Sequence, residues 1–158
     1  MITRLSSDAR KIVLTSAADE ARRRGDRRLG TDHLLLGLLH DPASPVTKAL
    51  GTDLESARAA SDDLDRTALT SIGVDVEHVG HSPQEVHSRR LLPLTSGARA
   101  VLKAALEDTR QSGSRRIETR QFLVALLDRE RPDPAAELLH ALGVDTSAVR
   151  ARLEEPKD

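Results

Sequence analysis

Three adjacent polar residues, Thr31, Asp32 and His33, stand directly before a run of leucines and could form the start of a buried helix. The hydroxyl of Thr31 can cap the free backbone N–H groups of the first turn, and the positive end of the helix dipole stabilises a carboxylate at Asp32. The same helix start, with the hydroxyls of Ser6 or Ser7, could hold an anion. A structural interpretation, in which His33 satisfies backbone groups at a packed helix start, explains the same residues and stays open.

Other residues with chemical potential lack the spacing that a catalytic or metal site needs. His78, His81 and His87 lie in a predicted loop without carboxylates at a recognisable ligand spacing. The sequence contains no G-x-S-x-G nucleophile elbow and no pair of acids in a catalytic pattern. The arginines between 22 and 28 are predicted to form a solvated helix end, because acids lie nearby and stacking aromatics are missing. We therefore expect no enzyme activity, no metal or other cofactor, and no nucleic-acid partner.

The composition describes a chain that can bury its own core without crosslinks. The length of 158 residues suits one domain. Cysteine, tryptophan and tyrosine are absent and Phe122 is the one phenylalanine, so disulfides are excluded and the core must be aliphatic. The formal net charge is −1, and no apolar run approaches the roughly 18 residues of a membrane span. Because the N-terminal MITRLSSDARK also lacks an apolar signal region, a cytoplasmic protein without membrane contact is predicted.

The chain contains an internal duplication. Positions 88 residues apart agree at Thr31 and Thr119 and along the leucines of LGTDHLLLGLL and IETRQFLVALL. Further on the separation is 92 residues, where Ala49-Leu50-Gly51 matches Ala141-Leu142-Gly143, and a four-residue difference in a loop explains the change. We therefore divide a single domain, 1–158, into a first repeat at about 5–69, a linker at 70–93 and a second repeat at about 94–154.

Each repeat is predicted to contain four helices, which gives an all-α fold of about eight helices with pseudo-two-fold symmetry. The first helix spans about Asp8 to Arg24 and stops at Gly25. The second begins at Thr31 and should be buried nearly all round. The third and fourth begin at the cap residues Ser44, before a proline, and Asp53. The second repeat has matching signals at Thr95 or Ser96, Asp133-Pro134, Gly143 and Asp145.

The linker carries weaker signals. Gly73 and Asp75 repeat the spacing of Gly51 and Asp53, which predicts a short helix from Asp75 to about Val79. The following HSPQEVHSRRLLPLT predicts an extended connection that ends at the next helix cap. No segment has the pattern of a strand.

The pairing of EARRRGDRRLGTDHLLLGLL with a later LGTDLESAR, duplicated along one chain, resembles the N-terminal domain of the Clp ATPases. The resemblance covers about Leu5 to Leu153. It is weaker in the second repeat, which keeps Thr119 and the leucines but loses the glycine, the acid and the histidine. It implies an eight-helix pseudo-symmetric module that receives substrates and adaptor proteins for an ATPase ring, and in some members phosphorylated arginine. The implied partners are a Clp unfoldase, its substrates or its adaptors.

The resemblance also implies a ligand pocket in the first repeat. Asp32 stands where the acid of the family's pocket receives the guanidinium of a phosphoarginine ligand. Thr31, His33, Ser6 and Ser7 complete the predicted pocket. Aspartate is one methylene shorter than the family's usual glutamate, so phosphoarginine-bearing proteins are an alternative partner class beside the structural interpretation of Asp32.

In the second repeat the matching pocket is altered. Arg120 takes the position of the acid, with Thr95 and Thr119 beside it, so the charge is reversed. Glu118 precedes the helix and should point elsewhere. An arginine repels a guanidinium, so we expect no receptor with two phosphoarginine sites.

The predicted function is a non-enzymatic protein-binding module that modulates Clp-dependent proteolysis. A G-x-x-x-x-G-K-[ST] phosphate loop is absent. The chain is therefore either a piece of a larger protein or a stand-alone protein. The acidic ARLEEPKD end and the degenerate second repeat favour a stand-alone homologue, with the N-terminal domain of a larger Clp ATPase as the alternative. A further alternative is a protein that sequesters Clp-targeting cyclic peptide antibiotics. The resemblance places their hydrophobic patch at Ile2, Leu5, Leu91 and Leu92, where the family has phenylalanine.

Overall fold

The computed structural model describes residues 4–75, 77 and 91–155, and within these ranges it is all-helical with no strand. The predicted all-α fold is therefore confirmed. α1, a π-helical turn and α2 follow one another without a break, so the described ranges hold eight continuous helices. In the first repeat these are α1 (Ser7–Lys11), the π turn (Ile12–Ser16), α2 (Ala17–Arg24), α3 (Thr31–Leu38), α4 (Pro45–Leu50) and α5 (Leu54–Ser71). The second repeat contains α6 (Ser96–Gln111), α7 (Thr119–Leu127), α8 (Pro134–Ala141) and α9 (Thr146–Glu154).

Most helix boundaries are where the cap residues predict them. Ser44, Asp53 and Thr95 accept hydrogen bonds from backbone N–H groups in the first turns of α4, α5 and α6. Gly25 ends α2 in the left-handed conformation, with φ of 77°, which glycine adopts without steric cost. The predicted helix from Asp75 to Val79 and the connection after it lie largely outside the described residues.

α3 is the most buried helix of the first repeat. Its eight residues make it too short to be stable alone, so packing must hold it. Every residue in it except Asp32 is buried, as the leucine pattern predicts. The corresponding α7 buries Phe122 and three leucines on the same pattern. These two helices form the centre of the molecule, and α3 contacts α7 directly.

The two repeats interlock instead of folding side by side. α3 and α5 of the first repeat pack against α8 of the second. Reciprocally, α7 and α9 of the second repeat pack against α4 of the first. The third helix of each repeat therefore lies between the second and fourth helices of the other, which is the arrangement expected of a pseudo-two-fold axis.

Two short parallel contacts bring the start of each repeat to the middle of the other. Leu5 pairs with Ile117, where the amide of Ser6 donates a hydrogen bond to the Ile117 carbonyl at 3.0 Å. Leu29 pairs with Leu94, and the amide of Thr95 donates to the Leu29 carbonyl at 3.0 Å. As a result, the N-terminus of α1 lies beside that of α7, and the N-terminus of α6 lies beside that of α3.

Candidate binding sites at the repeat junctions

The first cavity, about 430 Å³, opens where the N-termini of α3 and α6 meet. Its lining includes Thr31, Asp32 and His33 from the first repeat and Thr95 and Ser96 from the second. Sequence reasoning assigned Thr95 to the other pocket. That grouping is wrong, because the contact between Leu29 and Leu94 carries the start of α6 across to α3.

Thr31 does not cap α3, contrary to the prediction. Gly30 is the N-cap residue, and Thr31 is the first residue of the helix. The Thr31 hydroxyl donates a hydrogen bond to Asp133 Oδ1 at 2.7 Å and accepts one from the Ala135 amide at 3.2 Å. Asp133 caps α8, so the hydroxyl ties the start of α3 to a helix start in the other repeat.

His33 has the structural role that was one of the two interpretations. Its ring is almost fully buried, and Nδ1 accepts a hydrogen bond from the Gly30 amide at 2.9 Å. Nε2 lies 2.9 Å from Asp26 Oδ2. Because Nδ1 accepts, Nε2 carries the proton and donates to the Asp26 carboxylate. His33 thus takes the role of the third residue in a capping box, because its ring reaches back to the amide of the N-cap residue Gly30.

Asp32 already binds a guanidinium, and that guanidinium belongs to the chain itself. Arg24 Nη1 lies 2.7 Å from Asp32 Oδ2 and 3.0 Å from the Ser61 hydroxyl. Arg24 Nη2 lies 2.7 Å from Asp65 Oδ2. The Arg24 side chain is only 12% exposed, so the prediction that the arginines between 22 and 28 are a solvated helix end is wrong for this residue.

The charges of this cluster perturb one another. Burial lowers the pKa of Arg24, but the negative charges of Asp32, Asp65 and Asp26 outweigh burial and raise it. Burial raises the pKa of Asp65, the nearby acids raise it further, and Arg24 opposes them only in part. The Arg24 guanidinium thus neutralises the charge of several carboxylates. Its removal would leave uncompensated negative charge, above all at the largely buried Asp32.

The second cavity is larger, about 650 Å³, and involves both repeats. Thr119 and Arg120 at the start of α7 line it, as do Lys11 at the end of α1, Ile12 at the start of the π turn and Arg152 near the end of α9. The Arg120 Nε donates a hydrogen bond to the Leu153 carbonyl at 3.3 Å, and Arg152 donates to the Ala49 carbonyl at 2.7 Å. Acids also line this cavity, so its charge is mixed, as it is in the first cavity, where Arg27 and Arg28 line the wall together with Asp26 and Asp32. The acids of the second cavity are Asp8, Asp41, Glu118 and Glu155.

Ser6 and Ser7 lie at the second cavity's side of the molecule, not beside Asp32. Ser6 caps α1 by accepting a hydrogen bond from the Ala9 amide at 3.2 Å, and its own amide binds Ile117 next to α7. The sequence-based pocket of Ser6, Ser7 and Asp32 is therefore wrong in its grouping. The duplication suggested that each pocket is built within one repeat. In the structure, each pocket combines a helix start from one repeat with a helix start from the other.

The residues predicted to form a hydrophobic surface patch differ strongly in their exposure. Leu5 is 2% exposed and belongs to the core, because its contact with Ile117 lies between the repeats. Leu92 is partly buried against the same core, and Leu91 is 62% exposed. Ile2 lies outside the described residues. A surface patch that needs Leu5 is therefore excluded.

Sequence reasoning missed the residues that hold α5 to α2. Glu20 is 1% exposed and accepts hydrogen bonds from Arg58, the closest at 2.6 Å from Nη2. His40 Nε2 lies 2.8 Å from the same carboxylate. An isolated glutamate on a polar helix face gives no signal of burial.

Within 4–75, 77 and 91–155 no group of three or more His, Cys, Asp or Glu side chains is arranged to hold a metal ion. His78, His81 and His87 lie outside the described residues. None of the helices in the described ranges is long and apolar enough to cross a membrane.

Comparisons with known proteins agree with this architecture. The chain is 31% identical over 156 residues to the chloroplastic chaperone protein ClpC2 of Oryza sativa subsp. japonica, and equally to the ClpA homologue, an ATP-dependent Clp protease ATP-binding subunit, of Porphyra purpurea. These matches cover 97% of this chain but only 15% and 17% of the relatives, so the chain spans about a sixth of their length.

The fold has a solved counterpart. The N-terminal domain of the chaperone ClpD from Arabidopsis thaliana superimposes with a TM-score of 0.69 at 22% identity, covering 97% of this chain and 96% of that one. Residues 4–134 match the family described as the Clp repeat (R) N-terminal domain. The chain therefore belongs to the Clp repeat N-terminal domain family.

Proposed function

We propose that this chain is a non-enzymatic polypeptide-binding module that receives substrates or adaptors of a Clp unfoldase, or the unfoldase itself, and thereby modulates proteolysis. Family membership supports the general role of a Clp N-terminal domain. The observation that carries the proposal is the pair of solvent-open cavities at corresponding helix starts, built on a repeated leucine scaffold but lined by different polar residues. The leucine core is retained in both repeats, whereas the polar residues that line the two cavities differ. This is the pattern expected of a receptor in which the ligand has changed.

The second cavity is the better candidate for a polypeptide. It is the larger of the two, and its lining combines apolar side chains such as Ile12 and Leu153 with Lys11, Arg120 and Arg152. None of these three cations forms an ion pair with another described residue. A segment with mixed apolar and charged side chains would suit this lining.

Phosphoarginine binding at the first cavity stays a separate prediction. The Asp32 carboxylate is bound by Arg24, so a ligand guanidinium would have to compete with an internal one. Loss of phosphoarginine affinity in Asp32→Ala with a nearly unchanged melting temperature would support the prediction. An equal loss of both would make Asp32 structural.

Site-specific photo-crosslinking tests the module proposal. A benzophenone amino acid at Arg120 places the probe on the second cavity, and the same probe at Lys103 places it on the exposed face of α6. With a purified Clp unfoldase and an unfolded client protein, we expect a crosslinked product from position 120 and not from position 103.

Competition then distinguishes specific contact from collision. Excess unlabelled chain should suppress the crosslink from position 120. Absence of a product with unfoldase, client and adaptor alike, or equal products from both probe positions, would contradict the proposed function.

A further inference from the structure

Arg24 connects the first cavity to α5. It is the last residue of α2, and its guanidinium simultaneously binds Asp32, which lines the cavity, and Asp65, which lies on α5. The same Nη1 that reaches Asp32 also donates to Ser61 of α5 at 3.0 Å. A single side chain therefore occupies the cavity's carboxylate and holds the middle of α5.

The second half of α5 depends on this connection. α5 is 18 residues long, yet its buried residues are Ala57 and Ser61, and no residue from 62 to 71 is buried. Arg23 lies 3.9 Å from Asp62 with both side chains about two-fifths exposed, and such surface pairs contribute little. Among the described residues, Arg24 is thus the main polar attachment of α5 beyond Ser61, with Leu64 adding partial apolar packing.

We propose that Arg24 is a switch between the first cavity and α5. A cationic group that binds Asp32 in the cavity repels the guanidinium of Arg24 and displaces it, since two cations compete for one carboxylate. Displacement leaves Asp65 without its counter-ion and frees residues 62–71. By linkage, anything that holds α5 in place weakens cation binding in the cavity by the same factor. The identity of the cation as part of a partner polypeptide rests on the proposed function; the coupling itself does not.

The test uses ethylguanidinium as the probe and amide hydrogen exchange as the readout. In Arg24→Ala we expect exchange of residues 62–71 to rise at least about tenfold, because Asp32 and Asp65 lose their shared counter-ion. Millimolar ethylguanidinium should slow this exchange by filling the vacated position. In the unaltered protein the same probe should accelerate exchange of 62–71, because it competes with Arg24. The switch therefore predicts that ethylguanidinium slows exchange of residues 62–71 in Arg24→Ala and accelerates it in the unaltered protein.

Three controls separate this signature from general salt and destabilisation effects. Equal concentrations of sodium chloride should not reproduce the probe's effect. Arg23→Ala removes a neighbouring arginine that is 39% exposed and should leave the probe's effect unchanged. Adding Asp32→Asn to Arg24→Ala should abolish rescue. Arg24→Gln keeps most of the side-chain volume and replaces Arg24→Ala if that variant does not fold.

Two results would overturn the switch. Exchange of 62–71 that is the same in Arg24→Ala or Arg24→Gln as in the unaltered protein would show that Arg24 does not hold α5. Rescue that persists after Asp32→Asn would show that the probe acts elsewhere. The experiment contains no Clp component, so its outcome is independent of the crosslinking result that tests the proposed function.

Discussion

At the scale of single residues, equivalent positions in the two repeats have taken different roles. Thr31 and Thr119 each begin a buried helix, but the Thr31 hydroxyl bridges to Asp133 and Ala135, whereas Thr119 lines the open second cavity. The polar residue after each threonine differs further: Asp32 is bound by Arg24, and the guanidinium of Arg120 reaches a backbone carbonyl. The threonine is therefore the same in both repeats, but the groups that its hydroxyl contacts differ.

We predict that Thr31→Val destabilises the protein by about 1–3 kcal/mol, because it leaves the buried Ala135 amide and the Asp133 carboxylate with poorer partners. Thr119→Val, the matched change in the second repeat, should stay within about 0.5 kcal/mol. Urea unfolding followed by circular dichroism measures both. Equal losses from the two variants would contradict the bridging role of Thr31.

Gly37 supports a second prediction at this scale. A Cβ atom on Gly37 would lie 3.0 Å from the Ala17 amide nitrogen and 3.1 Å from the Ala17 Cβ. Alanine favours a helix by about 1 kcal/mol over glycine, but here it would force α3 away from α2. We therefore expect Gly37→Ala to lower stability by about 1–3 kcal/mol.

The control for Gly37 is the compensating change on the facing helix. Ala17→Gly removes the Ala17 methyl group from this contact but itself costs about 1 kcal/mol of helix propensity. The double variant should therefore lose less stability in urea unfolding than the sum of the two single variants. If Gly37→Ala is neutral or stabilising, the two helices do not approach as closely as the structure indicates.

At the scale of helices, ion pairs rather than apolar packing hold α5 to α2. The Arg58 Nε and Nη2 groups bind the Glu20 carboxylate at 2.6 to 3.2 Å, and His40 binds it from the loop after α3. Burial alone raises the pKa of Glu20, but the hydrogen bonds from Arg58 and His40 and the charges of Arg58 and Arg23 outweigh it. The pKa of Glu20 therefore lies below its ordinary value.

A pH dependence follows from the sign of this shift. A carboxyl whose pKa is lowered by folding stabilises the native state above its unfolded pKa, and that contribution is lost as the pH falls through the folded pKa. We expect Glu20→Gln to cost about 1–3 kcal/mol at neutral pH, because Arg58 and His40 lose their charged partner while the Arg58 side chain keeps partial access to water. The difference from the unaltered protein should shrink below about pH 4–5, where glutamates begin to protonate.

Glu55→Gln is the matched control for Glu20. Glu55 also lies near Arg58, at 3.9 Å, but its side chain is 88% exposed, so its removal should change little at any pH. Urea unfolding at a series of pH values measures the free energy of unfolding of both variants and of the unaltered protein. A gap between the Glu20 variant and the unaltered protein that stays constant down to acidic pH would rule out this origin of the pH dependence.

At the scale of the whole molecule, the fold is one interlocked unit. Each repeat covers the central helices of the other, and Leu5 and Leu29 pair across the junction with Ile117 and Leu94. The core cluster correspondingly contains buried residues from both repeats. A repeat on its own would expose the leucines that its counterpart covers.

We therefore predict that residues 1–73 and residues 91–158, produced separately, do not unfold cooperatively. Mixed in equal amounts they should regain helicity and a cooperative thermal transition, because the cross-repeat contacts of α3 with α8 and of α4 with α9 reform. Circular dichroism melting of each half and of the mixture provides the measurement. A cooperative, monomeric transition in either half alone would contradict the interlocked core.

Much of the local structure was predictable from residues near one another in the chain. Ser44, Asp53 and Thr95 act as caps because an oxygen on a short side chain reaches N–H groups only two or three residues away. Gly25 stops its helix for an equally local reason, its tolerance of positive φ. Thr31 does not cap its helix because Gly30 holds the N-cap position, and the Thr31 hydroxyl instead binds Asp133, which lies 102 residues further along the chain. No local rule can anticipate that contact.

The sequence by itself determined the helix content, the duplication, the leucine core of α3 and the family resemblance, since each depends on short-range periodicity or on direct repetition. Only the tertiary structure shows which helix starts share a cavity. It also shows that Leu5 is buried and that the Arg24 guanidinium binds the Asp32 carboxylate. These outcomes depend on contacts between residues far apart in the chain. Two copies of a motif can pack within themselves or across each other with the same local pattern, and the burial of both central helices favours the crossed arrangement.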